Sequence, residues 1–208
     1  MTFQLYVRIA LLIICFGLIA GGSSAAVPAL RAHEVPGALT MLLPAGWSIE
    51  NFQCYGISVT NPQDPAYGIM FLNQLHNYPL LLPPGTTPEQ YVENYFCQDL
   101  ETIGKVADSA QILGYIQTDV SGISAFDKIS VKSMEVSLRI NGVPVIAYLT
   151  VGTRGNYLGT IVAYLWGIYG PAATIMEDGP VMKQAFDSIR YDQDYTAECR
   201  RLMKWGNE

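Results

Sequence analysis

Asn141-Gly142 constrains this chain more than any other pair of residues. Both favour positive φ, which a two-residue type I′ hairpin requires at its central positions. Apolar, β-branched stretches flank the pair, so Ile129–Ile140 and Val143–Val151 read as antiparallel strands. Gly152-Thr153-Arg154-Gly155-Asn156 reads as the next turn, because these residue types tolerate left-handed backbone. Tyr157–Ile168 then forms a third strand. Sorted by parity, Leu158, Thr160, Val162, Tyr164, Trp166 and Ile168 share one face, and Tyr157, Gly159, Ile161, Ala163, Leu165 and Gly167 the other. Both faces are mainly apolar, so both should be covered and this strand should be central. The first strand alternates Met134, Val136, Leu138 and Ile140 with Ser133, Glu135, Ser137 and Arg139, as expected nearer an edge.

A rival reading exists for the same region. No charge occurs between Arg154 and Glu177, so residues 155–176 are long enough to cross a bilayer as a helix. Gly159, Gly167, Gly170 and Pro171 break up that run, and its β-branched and aromatic content favours the strand.

The N-terminus carries a targeting pattern. Arg8 precedes the apolar run Ile9–Ala20, and Gly21-Gly22-Ser23-Ser24-Ala25 ends it with small residues. Residues 1–25 therefore read as a secretory signal peptide cleaved near Ala25, or as an N-terminal anchor if uncleaved. Either way the remainder lies outside the cytoplasm. Residues 26–37 read as a linker, 38–191 as a single domain and 192–208 as a C-terminal tail or short helix.

Within the domain, Leu39–Leu43 is a short strand, Pro44-Ala45-Gly46 a turn, and Trp47–Thr60 an extended stretch. Asn61-Pro62-Gln63-Asp64-Pro65 is a loop by composition, and Tyr67–Leu75 a strand. Thr87, Pro88 and Gln90 form a capping box with proline at the first helical position. Val92, Tyr95, Phe96, Leu100 and Ile103 then recur at helical spacing until Gly104 stops the helix. A second helix is expected at Pro180–Ile189.

Composition excludes some functions. Charged residues make up 14% of the chain and net charge is −6. Without a basic cluster, nucleic acid is excluded as a partner, since its binding is dominated by phosphate neutralisation. His33 and His76 have no neighbours at metal-ligand spacing, and no Walker, dinucleotide-binding or G-x-S-x-G motif occurs, so no metal or cofactor is expected.

Two features remain. Outside the cytoplasm cysteines tend to oxidise, and Cys54, on a strand, and Cys97, on the capped helix, are the candidate disulfide. The loop Tyr78–Pro84 carries Tyr78, Leu80, Leu81 and Leu82 between prolines. It is the candidate partner-contact segment if exposed, and otherwise a cover over a sheet edge.

Leu43-Pro44-Ala45-Gly46-Trp47 after a first strand, and Phe186-Asp187-Ser188-Ile189 at the end of a last helix, resemble the PsbP-like family over about Leu39–Tyr191. The resemblance implies an α+β fold, an antiparallel sheet with helices on both faces in an α/β/α sandwich. It also implies a binding or assembly role without a shared catalytic centre. The resulting expectation is an exported, non-catalytic binding or assembly module of the cell envelope. Its partner is a protein or an envelope component, with the N-terminal segment as a membrane tether if it stays attached. The alternatives are an extracytoplasmic enzyme built from scattered residues such as Asp119, Asp127 and Arg154, or an integral membrane protein spanning at 155–176.

Overall fold

The computed structural model describes residues 27–54, 56–76, 80–117 and 129–205. They form an α+β fold with two antiparallel sheets and four helices. The smaller sheet has the order β1-β2-β10, with β1 Leu30–Val35, β2 Leu39–Pro44 and β10 Arg190–Tyr191. The larger has seven strands in the order β3-β4-β5-β9-β8-β7-β6. They are β3 Ser48–Gln53, β4 Gly56–Asn61, β5 Asp64–Leu75, β6 Ala107–Tyr115, β7 Ile129–Ile140, β8 Val143–Asn156 and β9 Gly159–Pro171. The helices are α1 Pro88–Asn94, α2 Phe96–Thr102, α3 Ile175–Asp187 and α4 Gln193–Trp205.

The β7–β8 hairpin turns on Asn141 and Gly142, both at positive φ (49° and 79°). β9 is the central strand, paired with β5 on one side and β8 on the other. Residues 159–171 are therefore strand, and the reading of 155–176 as a membrane helix is overturned. Among the described residues no helix is long and apolar enough to cross a membrane.

Two details of β8 and β9 differ from expectation. The loop expected over Gly152–Asn156 is instead the end of β8, paired as far as Asn156↔Gly159. Turn-type residues are tolerated there because Arg154, Gly155 and Asn156 lie at the exposed end of the sheet. The parity of β9 also breaks. Gly152 pairs with Tyr164 and Thr153 with Val162, so Ala163 is an extra residue that bulges. Val162 then shares a core with Leu165 and Tyr169, whereas Ile168 joins the opposite one.

The two cores draw on alternate residues of the same strands. In β8, Val145, Ala147, Leu149 and Val151 serve one, and Ile146 and Tyr148 the other. The first core takes Tyr91, Val92, Phe96 and Leu100 from α1 and α2. The second takes Ile175, Met182 and Ala185 from α3, together with Leu39, Met41 and Leu43 of the small sheet.

The capped helix starts as expected: Gln90 N–H donates to the Thr87 hydroxyl, and Gln90 Oε1 accepts from Thr87 N–H. It does not run on continuously. Tyr95, at φ −128°, separates α1 from α2, and α2 ends before Gly104 at φ +81°. The last domain helix begins at Ile175, earlier than Pro180. The carbonyl that Pro180 leaves without a helical donor belongs to Met176, which is exposed to water.

Part of the stretch read as a linker forms β1, whose side chains are largely exposed. The tail is mostly the helix α4. Tyr195 of α4 stacks on Phe52, with ring centroids 5.3 Å apart, and Cys199 is bonded to Cys54. The disulfide is thus Cys54–Cys199, and the Cys54–Cys97 pairing is wrong: Cys97 is a free thiol. The reason is topological. Cys54 follows β3, one edge of the large sheet, whereas α2, which carries Cys97, packs on β6 at the opposite edge.

Candidate functional site

β5 ends at Leu75, opposite Val162 of β9. Thr160 therefore has no β5 partner, and Leu82 takes that place. Leu82 N–H donates to Thr160 O, and Thr160 N–H donates to Leu82 O, both at 2.9 Å. Gly85 N–H adds a 3.0 Å bond to the Thr160 hydroxyl. Gly159 allows this approach, since a Cβ there would lie 2.5 Å from Leu82 O. The loop is thus pinned to the sheet at Leu82, which is buried. Leu81 is half-buried, and Leu80 is 76% exposed. Tyr78 lies outside the described residues.

Between this segment and α2 lies a recess of about 680 Å³. Met70 and Leu72 of β5 and Leu165 of β9 form its floor, Phe96, Leu100 and Ile103 one wall, and Leu81 and Leu82 the other. This volume falls within the range of small-molecule sites, which are mostly apolar with few polar groups.

The polar groups here are paired. His76 Nε2–H donates to Asp99, 2.9 Å from each carboxylate oxygen. Tyr91 OH donates to Asp99 Oδ2 at 2.5 Å. His76 also meets the edges of the Tyr91 and Tyr95 rings, at 5.9 and 6.3 Å between centroids. The break at Tyr95 thus sets the Tyr91 ring of α1 and the Tyr95 ring of the junction around one imidazole. Tyr91 is fully buried, and burial, then the Asp99 charge beside it, pushes its phenol well above the usual tyrosine range. The pair therefore holds a proton donor against a carboxylate in a low-dielectric wall.

The backbone leading into the site is unusual. Gln74 and His76 both have positive φ, 54° and 53°. Non-glycine residues in this region carry a conformational cost, and such residues cluster at functional sites. Here the turn carries the His76 ring to Asp99.

Of the other expected site residues, those described do not gather here. Arg154 is exposed at the end of β8, and His33 is exposed on β1. Asp119 and Asp127 lie outside the described residues. Cys97 is hydrogen-bonded to the Ala110 backbone, and burial raises its thiol pKa. Among the described residues no group of three or more His, Cys, Asp or Glu side chains could hold a metal ion. Asp99 is the residue that sequence reasoning missed. It lies 23 positions from His76, and no local pattern links the two. The available signal was a carboxylate on the helix that carries the apolar stripe.

Over 82% of this chain and 96% of that one, the fold is similar to the solution structure of cyanobacterial PsbP (CyanoP) from Synechocystis sp. PCC 6803. Sequence identity is 9% and the TM-score is 0.38. The likeness is a weak one, of fold. No protein-family model matches the chain, and no curated protein matches it.

Proposed function

We propose that this protein is an exported, non-catalytic binding module of the cell envelope, built as an α/β/α sandwich. Its recess between α2 and the Leu80–Pro83 segment takes the apolar part of a protein or envelope component. The observation that carries this reading is the recess itself: an apolar volume of ligand size with an exposed leucine at its rim and a His–Asp pair in its lining. Export is supported by Arg8, the apolar run after it and the small residues that follow. The Cys54–Cys199 disulfide supports an oxidising compartment. The acidic composition argues against nucleic acid as the partner.

A second reading, an extracytoplasmic enzyme, is favoured by one observation. A carboxylate orienting an imidazole is the rear half of a nucleophile–base–orienter arrangement. Against it, among the described residues no Ser or Cys side chain is hydrogen-bonded to His76.

The test is a photo-crosslinking residue at position 80 in the native envelope. Capture of one defined component is expected. Leu81→Asp should abolish that capture with the melting temperature nearly unchanged. Turnover of a defined substrate that is lost in His76→Ala overturns the non-catalytic reading.

A further inference from the structure

The backbone nitrogen of Val27 is engaged by a buried carboxylate. It donates to Asp178 Oδ1 at 3.0 Å. The second oxygen of the same carboxylate, Oδ2, accepts from Tyr67 OH at 2.7 Å. Asp178 is 4% exposed. The Val27 side chain packs against the core formed by the small sheet and α3.

A buried carboxylate normally has a cation beside it, because removing an unpaired charge from water costs several kcal/mol. Among the described residues no Lys, Arg or His forms an ion pair with Asp178. Asp178 lies in the first turn of α3, where the helix dipole favours an acid. That gives only partial compensation. The oxygens are also taken by Tyr67 and Val27, whereas the Glu177 and Asp178 amides of that turn donate to Thr174 O.

The sequence supplies the missing charge. Ser24-Ala25-Ala26 has small residues at the third and first positions before Val27, the pattern that signal peptidases cut after. We propose that the chain is processed between Ala26 and Val27, and that the new Val27 α-ammonium forms an ion pair with buried Asp178. Signal peptidase hydrolyses the Ala26–Val27 peptide bond with one water, leaving a carboxylate on Ala26 and an ammonium on Val27. The ammonium is charged at neutral pH. It keeps a donor toward Asp178 and replaces a hydrogen bond from a neutral amide with one between two opposite charges. Maturation thereby locks the entry of β1 onto α3. The processing event rests on the export reading, whereas the ion pair can be tested without it.

Two experiments decide this. In the first, the full chain is expressed in a secreting host and the N-terminus of the exported protein is sequenced; Val27 is expected. An exported chain beginning at any other residue overturns this proposal alone, and a chain retained in the cytoplasm with Met1 in place overturns the export reading with it. In the second, a protease recognition sequence that leaves no residue behind is placed directly before Val27 in the full chain. The protein is folded and then cut. Cutting should raise Tm by at least about 2 °C. The rise should vanish when one glycine is left ahead of Val27, and in Asp178→Asn. If Asp178→Asn fails to fold, the glycine-extended chain, which keeps Asp178, makes the comparison. No rise on cutting, or the same rise with the extra glycine, overturns the ion pair.

Discussion

The phenol ring of Tyr169 in β9 lies against the backbone of Gly68 in β5, its partner in register. A Cβ on Gly68 would stand 2.2 Å from both Tyr169 Cζ and Oη. The ring is almost wholly buried and fills the space that a side chain on β5 would need. Gly68→Ala should therefore destabilise by about 1–3 kcal/mol through overpacking. Most of that loss should disappear when Tyr169→Leu is made in the same chain. Urea midpoints of the two single variants and the double variant measure the coupling directly.

Breaking the covalent tie between β3 and α4 should cost more. The bond joins residues 145 positions apart. Cys199→Ser should lose about 2–5 kcal/mol, whereas Cys97→Ser leaves the disulfide in place. Thiol titration of denatured residues 27–208, a stretch that excludes Cys15, should find Cys97 reactive without a reductant and Cys54 and Cys199 only with one.

Val162 is fully buried in the central strand. Val162→Asp places an unpaired carboxylate there at a cost of several kcal/mol, and should abolish folding. Retention of the wild-type circular dichroism and melting temperature would contradict the central position of β9.

The apolar segment should divide by residue. Leu82→Ala should lose about 2–5 kcal/mol, as for a buried leucine. Leu80→Ala, at an exposed position, should stay within about 0.5 kcal/mol. Thermal unfolding of the two variants checks this.

Stability should fall in alkali. Burial pushes the phenols of Tyr67, Tyr164 and Tyr191 up from 10.0 to about 12. The unfolded chain releases these protons first, so it holds fewer protons than the folded chain between those values. Stability is therefore unaffected by these groups below about pH 10, and declines as pH rises toward 12. Urea midpoints measured across that window, with tyrosinate absorbance in parallel, should show the decline and the delayed ionisation together.

Local chemistry was readable where it acts within a few residues. Asn141-Gly142 needs only its own φ preferences, and the Thr87–Gln90 box closes within one turn. The relationships that depend on assembly were not. Nothing near Cys54 names Cys199. The Ala163 bulge arises from how β8 and β9 pair, so parity counted along one strand could not reveal it. β1 has the sequence Leu-Arg-Ala-His-Glu-Val, and its exposure hides the alternation by which a strand is recognised. His76 and Asp99 meet because the chain turns at His76, just past the end of β5, and its ring reaches the Asp99 carboxylate of α2. The apolar loop was visible in the sequence as a feature, but its division into a pinned Leu82 and a projecting Leu80 follows from where β5 stops.

The strand order has a consequence for how the molecule is made. β3, β4 and β5 form one meander and β6, β7 and β8 another, and β9, last of the seven in the chain, lies between them. Until residue 171 is available, β5 and β8 each present an open edge. Such edges recruit other chains, and sheets closed by a late, non-local strand form slowly. The growing polypeptide is thus vulnerable for most of its synthesis and safe only near its end. A chain of this design gains from being held extended until the whole domain has been delivered, which is the condition that export in an unfolded state provides.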